Sequence, residues 1–227
     1  LMYSPKFTIT NQILKNIGSV EAAKALIENA PLIPAYEKAF QDEALVKTIY
    51  HATHLEGGDL TLTQAQQVLE GAKIYARERD IQEVINYRNV VKIIEDLSQA
   101  TELRYDERVL SKIHKAVIDK VIEEEAAGEF RQSQVVIKDS LTGQVTFRPP
   151  PSVEIPYLIE DFFDWLNSQD AQRLHPLLRA GITHYVLVAI HPFVEGNGRT
   201  ARAFATSVML KEDYDIKRFF ALEEHFD

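Results

Sequence analysis

The sequence predicts a mainly α domain, a helical bundle interrupted by one β-hairpin. Three observations carry that reading. Apolar residues recur at helical spacing through most of the chain. Only residues 133–151 break the pattern, with two β-rich runs around a Thr-Gly turn. The 227 residues, 45% hydrophobic and 26% charged, suit a globular domain long enough to bury a core. No repeat, low-complexity tract or linker divides it. One domain, with a small helical segment at residues 1–60, is the simplest organisation.

The first expected helix is SVEAAKALIENA (19–30), with Ser19 as N-cap and Pro31 just past its end. DEALVKTIYHATHLEGG (42–58) sets Leu45, Ile49 and Ala52 on one face, with Leu55 close by, and stops at a glycine pair. TLTQAQQVLEGA (61–72) starts another helix with Thr63 as its cap. The long ERDIQEVINYRNVVKIIEDLSQA (78–100) keeps Ile81, Val84, Ile85, Val91, Ile93 and Ile94 near one stripe, and DERVLSKIHKAVIDKVI (106–122) follows. Beyond the hairpin and its proline stop, helices return at 153–169 and 175–190. A last helix begins around Asn197 and covers GRTARAFATSVMLKED (198–213).

Composition removes several classes of function. Without cysteine there is no disulfide, thiolate metal site or thiol nucleophile. No apolar run approaches the roughly 18 residues of a membrane span, and no signal-peptide pattern opens the chain. A cytoplasmic location is compatible with this. The first residue is Leu1 rather than Met, as expected of a sequence that starts inside a longer one. A net charge of −9 disfavours nonspecific nucleic-acid binding, which neutralises phosphates with Lys and Arg. It leaves room for one local basic pocket.

HPFVEGNGRT (191–200) concentrates the chemistry. Pro192 disfavours helical geometry at His191 and pushes it toward an extended one, so a helix should end there. Gly196-Asn197-Gly198 should turn tightly through positive φ. The helix that follows presents free N–H groups, an anion site strengthened by its dipole. Arg199 and Arg202, three residues apart, sit close on one helical face and carry forks suited to phosphate. Glu195, just before this cradle, is the kind of single carboxylate that holds Mg²⁺ beside substrate phosphates. His191, with an ordinary pKa of about 6.5, is a candidate general base. Singly, each of these residues is more often structural. Together, in this order, they spell phosphoryl or nucleotidyl transfer.

HPFVEGNGRTAR (191–202) resembles the signature of the Fic family, H-P-F-x-[DE]-G-N-G-R-x-x-R, at every specified position. AGEFRQSQVVIKD (127–139) with RPPP (148–151) is similar to the family's flap hairpin, and RAGITHYVLVAI (179–190) to the helix before the motif. The resemblance covers most of the chain from about Ala44 onward. It implies a Fic-type helical bundle with one β-hairpin flap. Residues 1–60 would hold an inhibitory helix at about 42–58. Residues 61–227 would be the catalytic core, with its flap at about 133–150. The implied activity is a protein adenylyltransferase, moving AMP from ATP to a Ser, Thr or Tyr hydroxyl. His191 would be the base and Glu195 the Mg²⁺ ligand. Gly196, Asn197, Gly198 and Arg199 would bind phosphates, with Arg202 on the γ-phosphate. Phe193 would anchor the loop in the core. Glycine at 198 favours adenylyl transfer, because a family branch with Lys there transfers phosphate. Val135, Val136 and Ile137 match flap positions that line the nucleotide or clamp a target by strand addition.

THLEGG (53–58) resembles the inhibitory motif of one Fic class, [ST]-x-x-x-E-[GN]. Glu56 and Gly57 match, while Ala52 stands at the Ser/Thr position. The resemblance implies that Glu56 pairs with Arg202 and takes it from the γ-phosphate. It also allows Glu56 to support de-AMPylation at the same site. A nucleotide-sensing or interaction module is the reading from another class. The implied partners are ATP and a hydroxyl-bearing protein bound at the flap, with self-modification and a homodimer also in view, and no membrane or nucleic acid. His51 and His54 make a weak i, i+3 metal pair. His114, His175 and His184 read as capping, surface or core residues, with His184 on roughly the face of His191. The family continues with more helix beyond the equivalent of FFALEEHFD (219–227), so further chain is expected after Asp227.

Overall fold

The computed structural model describes residues 3–139 and 142–225. Ser140 and Leu141, at the tip of the expected flap, lie outside the described residues, as do the first two and last two positions. The described residues form nine α-helices and one two-stranded antiparallel hairpin, so the mainly α expectation holds. In order these are α1 (Asn11–Asn29), α2 (Pro34–His54), α3 (Leu62–Leu69), α4 (Glu78–Gln99), α5 (Glu107–Ile118), β1 (Ile137–Lys138), β2 (Val145–Phe147), α6 (Ile155–Leu166), the short α7 (Gln169–Gln172), α8 (Pro176–Ile190) and α9 (Asn197–Lys211). Short 3₁₀ turns follow α9.

Three helix starts differ from the expectation, for one reason. The N-terminal part of the chain offers several competing caps, and local pattern does not rank them. α1 begins at Asn11, because the Thr10 hydroxyl accepts the Ile13 N–H at 3.2 Å. Ser19 is inside that helix and donates to the Lys15 carbonyl. α2 begins at Pro34, a residue preset for the first helical position. Leu45 is 37% exposed and falls off its core face. α3 is capped by Thr61, not Thr63, in a reciprocal box with Gln64.

α9 is the central helix and packs against both α8 and α4. Its small residues Ala201, Ala203, Ala205 and Ser207 are buried, which lets neighbours approach closely, while Phe204 and Val208 fill the core. Burying one such large side chain contributes about 1.5–3 kcal/mol. Ile49 and Ala52 of α2 are wholly buried in the same cluster. The end of α2 is therefore fixed relative to the start of α9, and the site lies where they meet. Among the described residues no helix is long and apolar enough to cross a membrane.

Candidate active site

The loop between α8 and α9 is held from every side. His191 closes α8 in left-handed geometry (φ 52°, ψ 60°), not the extended one expected before proline. Its N–H still reaches the Leu187 carbonyl at 3.0 Å, so the chain reverses as an αL cap. A non-glycine residue pays about 1–2 kcal/mol for that conformation. Arg131 offsets the strain. It is 1% exposed, and its Nε donates to the His191 carbonyl at 2.8 Å. Its Nη1 and Nη2 donate to the carbonyls of Ser133 and Pro150, at 2.9 and 2.7 Å, and its own N–H to Pro192. One buried guanidinium thus ties both arms of the flap to the loop. No pattern in the sequence marks Arg131, because its acceptors are all main-chain carbonyls.

Phe193 is fully buried and stacks on His114 with centroids 3.6 Å apart. His114 accepts the Gly128 N–H at Nδ1 (2.9 Å), which leaves its proton on Nε2, donated to the Glu195 carbonyl at 2.9 Å. Burial pushes the His114 pKa down to about 4, so this neutral tautomer is fixed at neutral pH. Asn197 spends its side-chain amide on Phe193, accepting its N–H at 2.9 Å and donating to its carbonyl at 2.8 Å. Only the backbone of Asn197 remains for a phosphate.

The two motif glycines serve different ends. Gly196 has φ +76°, and a Cβ there would also meet Ile118 Cγ2 at 2.7 Å. Gly198 is helical, contrary to the expected positive φ, and what it supplies is space. A Cβ at 198 would overlap Glu56 Oε1 and crowd Arg202 Nη1. The first helical bond of α9 is Thr200 N–H to Gly196, so the N–H groups before it face outward as an anion cradle.

Glu56 follows the end of α2 and reaches this cradle. Its Oε1 accepts from Arg202 Nη2 at 2.9 Å, and the same nitrogen donates to the Ala52 carbonyl at 3.3 Å. The Ala52 side chain is buried, and Thr53 turns its hydroxyl back onto its own helix. The Ser/Thr position of the resembling motif therefore contributes through its backbone. Arg199 is buried against Glu83 at 3.0 Å. Arg199 Nη1 is held by that ion pair, whereas among the described residues three other buried side-chain atoms here have no hydrogen-bond partner: Arg199 Nε, Thr200 Oγ1 and Arg202 Nε. Buried donors without acceptors are costly unless a ligand supplies them.

Burial also pushes His191 below its ordinary pKa, with the nearby Arg131 charge adding to the shift. Its Nδ1 faces the Val188 carbonyl at 3.3 Å, which places the proton there and leaves Nε2 as the basic atom. Val135, Val136 and Ile137 are half-buried, but only Ile137 is in β1, paired with Phe147. Glu195 is partly exposed beside the cradle, and its carboxylate pairs with Arg79 of α4. One oxygen donor next to phosphates fits a Mg²⁺ ion that arrives with a nucleotide and keeps its waters. His54 Nδ1 faces the Gly58 carbonyl at 3.0 Å, where α2 ends. Arg79 and Glu83 were readable as an i, i+4 charge pair, though not as part of this site.

A model of the Fic/DOC family matches residues 104–209. The chain is similar to the protein adenylyltransferase Fic of Drosophila willistoni, 30% identical over 203 residues, which is 88% of this chain and 39% of that protein. The Drosophila virilis protein of the same name is 34% identical over 175 residues, 76% of this chain and 34% of its own length. The chain thus spans well under half the length of these relatives. A crystal structure of a Fic family protein from Desulfovibrio desulfuricans G20 superposes with a TM-score of 0.81 at 27% identity, covering 99% of this chain and 65% of that one. A Fic domain containing signaling protein from Bacteroides thetaiotaomicron VPI-5482 gives 0.76 at 26%, covering 87% and 73%.

Proposed function

The chain belongs to the Fic/DOC family, and from that premise we propose that it is a protein adenylyltransferase held in check by Glu56. One observation carries the reading. The start of α9 already grips an anion, the Glu56 carboxylate on Arg202, where a nucleotide phosphate would bind. Carboxylate and phosphate oxygens compete for the same guanidinium. In this reading residues 1–60 regulate and residues 61–227 catalyse, in a cytoplasmic setting.

In the reaction, His191 Nε2 takes the proton from a Ser, Thr or Tyr hydroxyl. The freed oxygen attacks the α-phosphorus, the bond to the β-phosphate oxygen breaks, and pyrophosphate leaves. The main-chain N–H groups of Gly198 and Arg199 hold the phosphates, with the acceptor-free Nε of Arg199 and Nε of Arg202 and the Arg202 fork once Glu56 leaves it. Mg²⁺, bound by Glu195, would neutralise phosphate charge. The half-buried run Val135, Val136 and Ile137 lies at the flap edge, where a target segment or this chain's own segment would pair. The same site run in reverse is the second reading: the Glu56 carboxylate lies at the cradle against Arg202, where it would position a water.

The test is intact mass after incubation with ATP and Mg²⁺. A gain of one AMP, larger for Glu56→Gly than for wild type and lost with His191→Ala, supports the proposal. No gain in any variant, with or without a candidate target, refutes transfer.

A further inference from the structure

We propose that Arg79 is a second latch, a built-in cation that covers Glu195 at rest and sets how tightly the site takes a divalent ion. The inference rests on the reading of Glu195 as the metal carboxylate. Arg79 lies in the first turn of α4, far from the signature in sequence. Its Nη2 donates to Glu195 Oε1, and its Nε donates to Glu83 Oε1 at 3.1 Å. Glu83 in turn lies 3.0 Å from Arg199 Nη1, and Arg199 Nη2 lies 3.7 Å from Glu195 Oε1. These four charges close a ring of alternating sign that joins α4 to the signature loop.

The ring has one replaceable member. The Glu83 and Arg199 side chains are 4% and 3% exposed, whereas Arg79 is 54% exposed. Two carboxylates and two guanidiniums balance, so a divalent ion at Glu195 adds charge that the ring does not need. It must also displace or crowd the guanidinium already on Oε1. The arrangement mirrors the other end of the site. Glu56 puts a carboxylate on Arg202, and Arg79 puts a guanidinium on Glu195. Each end of the motif is thereby neutralised by a residue from outside it.

The two latches are also mechanically adjacent. Arg77, two residues before Arg79, donates to the Gly57 carbonyl at 3.1 Å and to buried Asp80 at 2.8 Å. The start of α4 therefore touches the residue after Glu56 and the carboxylate of Glu195. A half-exposed cation can leave Glu195 at modest cost, because exposed pairs contribute little. That makes Arg79 a tuner of metal affinity, with the buried Glu83–Arg199 pair as the fixed support.

The experiment is Mn²⁺ binding followed by electron paramagnetic resonance, with α,β-methylene-ATP present, in the Glu56→Gly background. Arg79→Ala should tighten the Mn²⁺ dissociation constant by about fivefold. Arg79→Lys, which keeps the charge, should fall between the two. Glu195→Ala should weaken Mn²⁺ binding and erase the difference made by Arg79→Ala. Equal or weaker binding in Arg79→Ala overturns the inference, as does a difference that persists without Glu195. Mn²⁺ binding by none of the proteins overturns it together with the metal assignment. The readout needs no turnover. An AMP adduct with unchanged Mn²⁺ affinity sinks this inference alone, and the reverse pattern sinks adenylyl transfer alone.

Discussion

Replacing Glu56 with glutamine keeps the shape of the side chain and removes its charge. The structure sets the size of the effect. Arg202 Nη2 and Glu56 Oε1 are 2.9 Å apart, with side chains 11% and 30% exposed. A hydrogen bond to a charged group contributes about 1.5–3 kcal/mol, and a fully exposed ion pair contributes about 0–1. Partial exposure places this pair near 1.5–2 kcal/mol, or roughly 10–30-fold in a dissociation constant. A phosphate that needs Arg202 must first break the pair, so that energy returns to the nucleotide when Glu56 is removed. Glutamine can still accept one bond from Arg202, so it should recover part of the gain. Glycine should recover all of it and also clear the space beside Gly198. Calorimetric titration with α,β-methylene-ATP and Mg²⁺ should rank wild type weakest, Glu56→Gln intermediate and Glu56→Gly tightest. Equal affinities for all three would refute the competition between carboxylate and phosphate.

In the Glu56→Gly background, His191→Ala should leave nucleotide affinity nearly unchanged while the AMP adduct disappears; loss of both would make His191 a binding residue. Because burial lowers the His191 pKa, the acid limb of the transfer rate should fall below the ordinary histidine value of about 6.5, and a limb above it would contradict the buried geometry. Arg131→Met should leave the carbonyls of His191, Ser133 and Pro150 without their donor, at about 1–3 kcal/mol each. At roughly 2–4 °C per kcal/mol, the melting temperature should drop by more than about 5 °C. Arg131→Lys should restore part of it. His114 is a histidine depressed on folding to about 4. Its neutral form is favoured in the folded state, so its contribution is complete above the unfolded value near 6.5 and is lost as pH falls toward 4, a span of about 3 kcal/mol. Urea midpoints between pH 7 and 4.5 should show this slope, and His114→Gln should lose most of it.

The signature was legible in the sequence because its residues are consecutive and their chemistry depends on local geometry. The helix start at Asn197 and the turn at Gly196 follow from Gly-x-Gly spacing alone. Glu56 was legible for a different reason, as a short motif at a helix end. What local reasoning missed was everything set by distant packing. Gly198 looked like a backbone requirement and is a clearance for Glu56, a residue more than a hundred positions away. His191 looked extended because Pro192 follows it, yet Arg131, from the base of the flap, holds its carbonyl in a left-handed turn. His114 carries no local mark, and Arg79 carries only an i, i+4 charge pairing with Glu83 that says nothing of the site. Their roles exist only because α5 and α4 pack against the loop.

The counter-charges at the two ends of the motif have a consequence for stability. Arg199 is buried and Arg202 nearly so, each keeps a buried Nε without an acceptor, and Glu83 and Glu56 supply the carboxylates that offset their charges. Removing Glu56 opens the phosphate position and at the same time leaves a nearly buried guanidinium without its ion pair. Breaking such a pair by deleting one partner costs more than the pair itself contributes. The variant that binds nucleotide best should therefore be the less stable protein when empty, and it should regain stability as ligand occupies the site. Thermal melting of Glu56→Gly should thus begin below wild type and cross above it with rising α,β-methylene-ATP. A variant that is tighter-binding and equally stable when empty would show that Glu56 and Arg202 are not coupled in the folded protein.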